Sequence, residues 1–174
     1  MADIEVHMGD VVVTRRSEDN LITSGIGSCL AVMLYDPKFK IGALAHTMLT
    51  DRRVSHLKRD ALDAISSSAR TWEGGNDRRH VIRDMKYVDA AIDGMIKKMV
   101  TQGANKENLE AKLVGGANMF PSLKSDIGKG NVLAAKEKLK IEDIRLVGES
   151  VGGSQGRSVE FSVASGIVTV KIKF

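Results

Sequence analysis

At 174 residues the chain has room for one domain and not for two ordinary ones, and its 43% hydrophobic content supports a real core. With aromatics at 4% and 8 Met residues, that core is mostly aliphatic with methionine as gap-filler. The net charge of +4 is mildly basic without the aromatic or Gly-rich motifs of a nucleic-acid binder, the single cysteine excludes an intrachain disulfide and points to a reducing cytoplasm, and no apolar run approaches the ~20 residues of a membrane span.

In chain order, Met1 to Asp10 alternates charged and apolar residues, unlike a signal peptide. Ile4 to Thr14, with Val11-Val12-Val13, reads as the run holding the first strand. Asn20 to Ser24 is short and β-prone, and Gly25-Ile26-Gly27-Ser28 is a turn. Leu30 to Tyr35 predicts a buried strand closed by Asp36-Pro37, and Lys40 to Leu49 a second strand paired through that turn. Residues 51–85 are polar and Arg-rich, with one short amphipathic helix expected on Leu62, Ile65, Ala69 and Trp72. Lys86 to Gln102 is the clearest helix, stopped by Gly103. Then come a strand at Leu109 to Val114, a helix at about Gly128 to Lys140 and a strand at Ile144 to Val151. Arg157 to Ala164 and Ile167 to Lys173 form a hairpin turning at Ser165-Gly166.

Two residues carry candidate chemistry. Cys29 stands after a glycine-rich turn whose backbone N–H groups can face a developing oxyanion. The alternative is a small buried residue after a tight turn. His46 lies in the next apolar run, either as a hydrogen-bonded core histidine or as the base that converts the Cys29 thiol to thiolate. His7, His56 and His80 are weaker candidates, and no pair has metal-ligand spacing. The glycine turn is no P-loop, because no Gly-Lys-Ser/Thr follows, and Leu30 takes the third glycine position of a dinucleotide motif.

The run Thr23-Ser24-Gly25-Ile26-Gly27-Ser28-Cys29-Leu30-Ala31-Val32 resembles the T-x-G-x-G-S-C-x-A-V signature of the CheD family. Gly42-Ala43-Leu44-Ala45-His46-Thr47-Met48-Leu49 resembles its G-x-x-x-H-x-M-L signature. Further similar segments follow in family order: Lys86 to Ile92, Gly115 to Phe120, Ile127-Gly128 with Asn131-Val132, and Gly152-Gly153 with Arg157 to Phe161.

The resemblance implies a layered α/β sandwich with mixed, largely antiparallel sheets, related to toxin deamidases. It implies one domain over 1–174 with a polar insertion at 51–85, and hydrolytic deamidation of glutamines on methyl-accepting chemotaxis receptors. Carried over position by position, Cys29 is the nucleophile, His46 the base and Thr23 the residue that orients it, with Gly25, Gly27 and Ser28 in the oxyanion loop. No metal or organic cofactor enters that chemistry. A CheC-type phosphatase is the implied protein partner, with Phe120 read either as its surface contact or as a core anchor. A regulator that binds such a phosphatase without catalysis is the alternative function, and methyl-ester hydrolysis is chemically close. The arginines of 51–85 read either as a solvated face or as a surface steering acidic receptor helices. Thr50, Ser150 and Ser154 depart from the family's usual Pro, acidic residue and Asn, and none touches the implied triad.

Overall fold

The computed structural model describes residues 2–50, 85–119 and 126–173. Residues 51–84 of the expected insertion, its helix at 62–72 and Phe120 fall outside them. The organising element is the strand β4, Leu30–Asp36, all 7 residues of which are buried. Such an unbroken apolar run is the pattern of a strand covered on both faces. Leu30, Val32 and Leu34 pack toward helices on one side, while Ala31, Met33 and Tyr35 face a second sheet on the other.

The strands preceding it are β1 (Ala2–Glu5), β2 (Val11–Thr14) and β3 (Asp19–Ile26), and β5 (Ile41–Thr47) follows. Then come helix α1 (Val88–Thr101), a short 3-10 turn at Lys106–Asn108, β6 (Glu110–Gly115), helix α2 (Ile127–Ile141), β7 (Arg145–Val151), β8 (Gly156–Ser162) and β9 (Val168–Lys173). The central sheet has the order β2-β5-β4-β6-β7 and the outer sheet the order β1-β3-β8-β9. Among the described strands β1–β3 and β6–β7 are parallel pairs, the second joined through α2, and the other pairs are antiparallel. The layers are therefore outer sheet, central sheet and helices, the expected α/β sandwich of mixed, largely antiparallel sheets.

Local chemistry accounts for the boundaries. In α1, Val88, Ala91, Ile92, Met95 and Met99 form the buried stripe, and Tyr87 caps it in extended conformation, so the helix starts two residues later than the periodicity predicts. In α2, Asp126 accepts the Lys129 N–H at the N-terminus. Asp36 closes β4 by accepting the N–H groups of Lys38 and Phe39, and its other oxygen takes the Asn105 N–H. The N-terminal run divides differently from its sequence pattern. β1 pairs with β3 in the outer sheet and β2 with β5 in the central one. The turn between them, where the Asp10 N–H reaches the His7 carbonyl and Gly9 takes φ of 86°, carries the chain from one sheet to the other.

Between the sheets lies Phe161, the largest fully buried side chain among the described residues. It meets Tyr35 edge-on at 5.7 Å between ring centroids, and the Tyr35 hydroxyl donates to the Val163 carbonyl. A Cβ at Gly42 would stand 2.9 Å from Val163 and 3.0 Å from Phe161, so the absent side chain is what lets the sheets close. Phe161→Ala is expected to lower the unfolding free energy by about 3–5 kcal/mol, read from urea titrations; a loss below about 1 kcal/mol would contradict an interlocked inter-sheet core.

Candidate active site

β3 belongs to the outer sheet and β4 to the central sheet, so Gly27–Cys29 is where the chain crosses between layers; Gly25 and Ile26, expected in the turn, instead end β3, where Ile26 still pairs with Arg157. The β3–β8 register shifts between Thr23 and Ile26, and Gly25 adopts φ of 72° within that irregularity. Thr23 therefore lies on one flank of the crossing and Cys29 on the other.

His46 enters from β5. Its alternate neighbours Ala43 and Ala45 pack on the helix side, while Leu44 faces the outer sheet, and His46 shares the Leu44 face. There Thr23 Oγ1 and His46 Nδ1 are 2.9 Å apart, in a bond buried between the sheets. Thr23 and His46 are 3% and 2% exposed, so water does not compete for this contact. Backbone bonds hold the histidine from both ends: its N–H donates to the Asp10 carbonyl and its carbonyl accepts from Gly9.

Cross-strand pairing sets Ala31 opposite His46. Cys29 stands two residues before Ala31, so the strand alternation carried one step past β4 puts it on the His46 face, diagonal to the imidazole. His46 Nε2 is buried without a hydrogen-bond partner among the described residues. The sequence-derived trio thus splits in two. Thr23 and His46 are bonded, whereas Cys29 is a register neighbour whose half-buried thiol makes no bond to Nε2.

The turn is clamped from behind. The Gly27 carbonyl accepts from Ala117 N–H, the Cys29 carbonyl from Gly116 N–H, and the Ser28 carbonyl from Asn131 Nδ2 at 3.0 Å. A trans peptide holds its N–H opposite its C=O. Anchoring the Gly27 and Ser28 carbonyls on the β6–α2 side therefore aims the Ser28 and Cys29 N–H groups the other way. Gly115, at φ of 120°, permits the close approach, since a Cβ there would overlap the Cys29 carbonyl and the Ile26 side chain. Met119 lies over the turn, its Cγ 3.0 Å from where a Gly27 Cβ would stand.

Burial pushes the Cys29 thiol above its ordinary pKa, offset in part by its own backbone N–H. Burial also holds the His46 imidazole below its ordinary value, against the pull of the Asp10 charge. At neutral pH both groups are uncharged, and a proton passing from sulfur to imidazole would create both charges together.

Asn131 is the residue that pattern reading passed over as a site residue. It is fully buried, and its Nδ2 reaches the Met48 carbonyl at 3.0 Å as well as that of Ser28. The available signal was a polar residue on the buried stripe of α2, among Gly128, Ala135 and Leu139. Phe120, the expected partner contact, lies outside the described residues. Among those residues no helix is long and apolar enough to cross a membrane.

Known proteins resemble this chain over most of its length. A family model described as CheD chemotactic sensory transduction matches residues 73–172. The chain is 36% identical over 177 residues to a probable chemoreceptor glutamine deamidase CheD of Clostridium botulinum strain Eklund 17B, covering 99% of this chain and 95% of that protein. It is 37% identical over 151 residues to the chemoreceptor glutamine deamidase CheD of Thermotoga maritima, covering 87% and 80% respectively. The probable chemoreceptor glutamine deamidase CheD of Pyrococcus abyssi is 37% identical over 172 residues, covering 97% and 91%. On a match of this extent, spanning the crossing turn, the histidine strand and the helix behind them, the chain belongs to the CheD family.

Proposed function

We propose that this chain is a protein-glutamine glutaminase that deamidates glutamine side chains on chemotaxis receptors in the cytoplasm, with Cys29 as nucleophile, His46 as base and then acid, and Thr23 as the residue that positions His46. The whole chain is read as one such domain, with a polar insertion at 51–85. The observation that carries the reading is the buried Thr23–His46 bond, which leaves Nε2 on the face shared with Cys29. The names of the relatives supply the substrate class.

For His46 to accept a proton at Nε2, Nδ1 carries the ring hydrogen and donates it to Thr23 Oγ1. The thiol proton passes to Nε2 as sulfur attacks the carboxamide carbon, and the C=O electron pair moves onto oxygen. The N–H groups of Ser28 and Cys29, in the turn with Gly25 and Gly27, face that oxyanion. The imidazolium returns the proton to the departing amide nitrogen, which leaves as ammonia. Water then gives a proton to His46 and attacks the thioester. Collapse releases the thiol, reprotonated by His46, and glutamate remains.

The resting chemistry gives a second reading its one support: an uncharged thiol with no bond to the imidazole also suits a binding protein. In that reading the chain docks a CheC-type phosphatase and does not turn over receptor. Ammonia release from a glutamine-containing receptor fragment separates the two. Cys29→Ala is expected to remain folded and release none, and His46→Ala to lower kcat by about 10²–10⁴-fold. Thr23→Ala is expected to lose about 10–100-fold, the worth of one hydrogen bond to a charged group. Thr23→Ser, which keeps the hydroxyl, should recover most of that loss. Turnover by Cys29→Ala equal to wild type would leave the binding reading standing.

The same pair fixes a pH dependence. Activity needs neutral His46, and burial lowers its pKa, so kcat/KM should hold as pH falls through the ordinary histidine value of about 6.5 and decline only below it. An acid limb centred above that value would mean that a different group is the base.

A further inference from the structure

We propose that Asn131 is a positioning residue for the deamidation, its side-chain amide fixing the nucleophile turn and the histidine strand relative to each other and aiming the Cys29 N–H at the oxyanion. The proposal rests on Cys29 and His46 being the reacting pair.

The two Nδ2 hydrogens go to different parts of the site. One goes to the carbonyl of Ser28, the residue before Cys29, and the other to the carbonyl of Met48, two residues past His46. Carbonyl oxygens only accept, so this pair of contacts sets which end of the amide is nitrogen. Asn131 comes from α2 and is remote in sequence from both. It bonds neither Cys29 nor His46 and acts through the backbone beside each.

Peptide planarity supplies the mechanism of action. The Ser28 carbonyl and the Cys29 N–H share one trans peptide, so holding the first orients the second. On the other arm, the peptide after Met48 is held at both ends, its carbonyl on Asn131 and the Leu49 N–H on the Lys86 carbonyl at 3.1 Å.

The residue is also a poor choice for stability alone. Its Oδ1 is buried without a partner among the described residues, and asparagine is a weak helix former. Its neighbours on the stripe, Gly128, Ala135 and Leu139, are apolar.

The test uses the full-length chain, in which Cys29 is the single thiol, so iodoacetamide reports on that site alone. Asn131→Ala removes the amide, and Asn131→Asp keeps its shape while setting a carboxylate against two carbonyls. Folded samples of both should lose at least about tenfold in kcat on a glutamine-containing receptor fragment with KM close to wild type, as expected of misplaced reacting groups. Alkylation of Cys29 near neutral pH should slow, with its pH profile displaced toward alkaline values. Wild-type kcat and alkylation profile in the folded variants would overturn the proposal, as would losses that only track the unfolded fraction.

If neither variant folds, nuclear magnetic resonance of the wild-type chain decides. Asn131 side-chain amide protons that resist solvent exchange and shift on Cys29 alkylation support the role; rapid exchange overturns it. Cys29→Ala run in parallel separates the two failures. If it turns over receptor like wild type, the assignment of the nucleophile is wrong, whereas an inactive Cys29→Ala beside wild-type-like Asn131 variants removes only the positioning role.

Discussion

The hydrogen bond between Thr23 Oγ1 and His46 Nδ1 joins the outer sheet to the central one, and the candidate site depends on it. Both partners are buried, so the bond does not compete with water, and breaking it would leave two polar groups unsatisfied in the interior. The same bond orients the imidazole. A histidine held at Nδ1 has its ring fixed, and His46 sits opposite Ala31 of β4, on the face turned to the outer sheet. The inter-sheet core supports that bond: Phe161, Tyr35 and Leu44 pack in the layer where a threonine from one sheet meets a histidine from the other.

That burial has an electrostatic consequence. The surroundings that exclude water from the threonine–histidine bond also disfavour charge on both Cys29 and His46. A permanently ionised thiolate–imidazolium pair is not the resting state such surroundings favour. The proposed chemistry accordingly moves the proton as the substrate carbonyl is attacked, when the developing oxyanion has backbone donors to meet it. A nucleophile that stays protonated at rest is also less exposed to adventitious oxidation.

Much of this was legible in the sequence, for identifiable reasons. β4 and β5 are continuous apolar runs because both faces are covered, and Asp36-Pro37 marks their turn. α1 is legible because its stripe, from Val88 to Met99, keeps helical spacing without interruption. Thr23, Cys29 and His46 stand in local motifs. What could not be read was which sheet each strand joins. Ile4 and Val11 fall in one β-prone run, yet they lie in different sheets, because a single turn at Gly9 redirects the chain and strand propensity carries no information about partners. The two contacts of Asn131 were equally invisible, since they span 103 and 83 residues of sequence.

In the proposed chemistry receptor glutamine becomes glutamate through a covalent bond to Cys29. Its most direct test is site-resolved mass spectrometry of a receptor fragment incubated with the chain in ¹⁸O-labelled water, with a second sample in which Cys29 has first been blocked with iodoacetamide. Catalysis through Cys29 predicts glutamates at defined receptor glutamines, each carrying one labelled oxygen, and no conversion by the blocked protein. Equal conversion by the blocked protein, or an unchanged receptor mass with the active one, would contradict it.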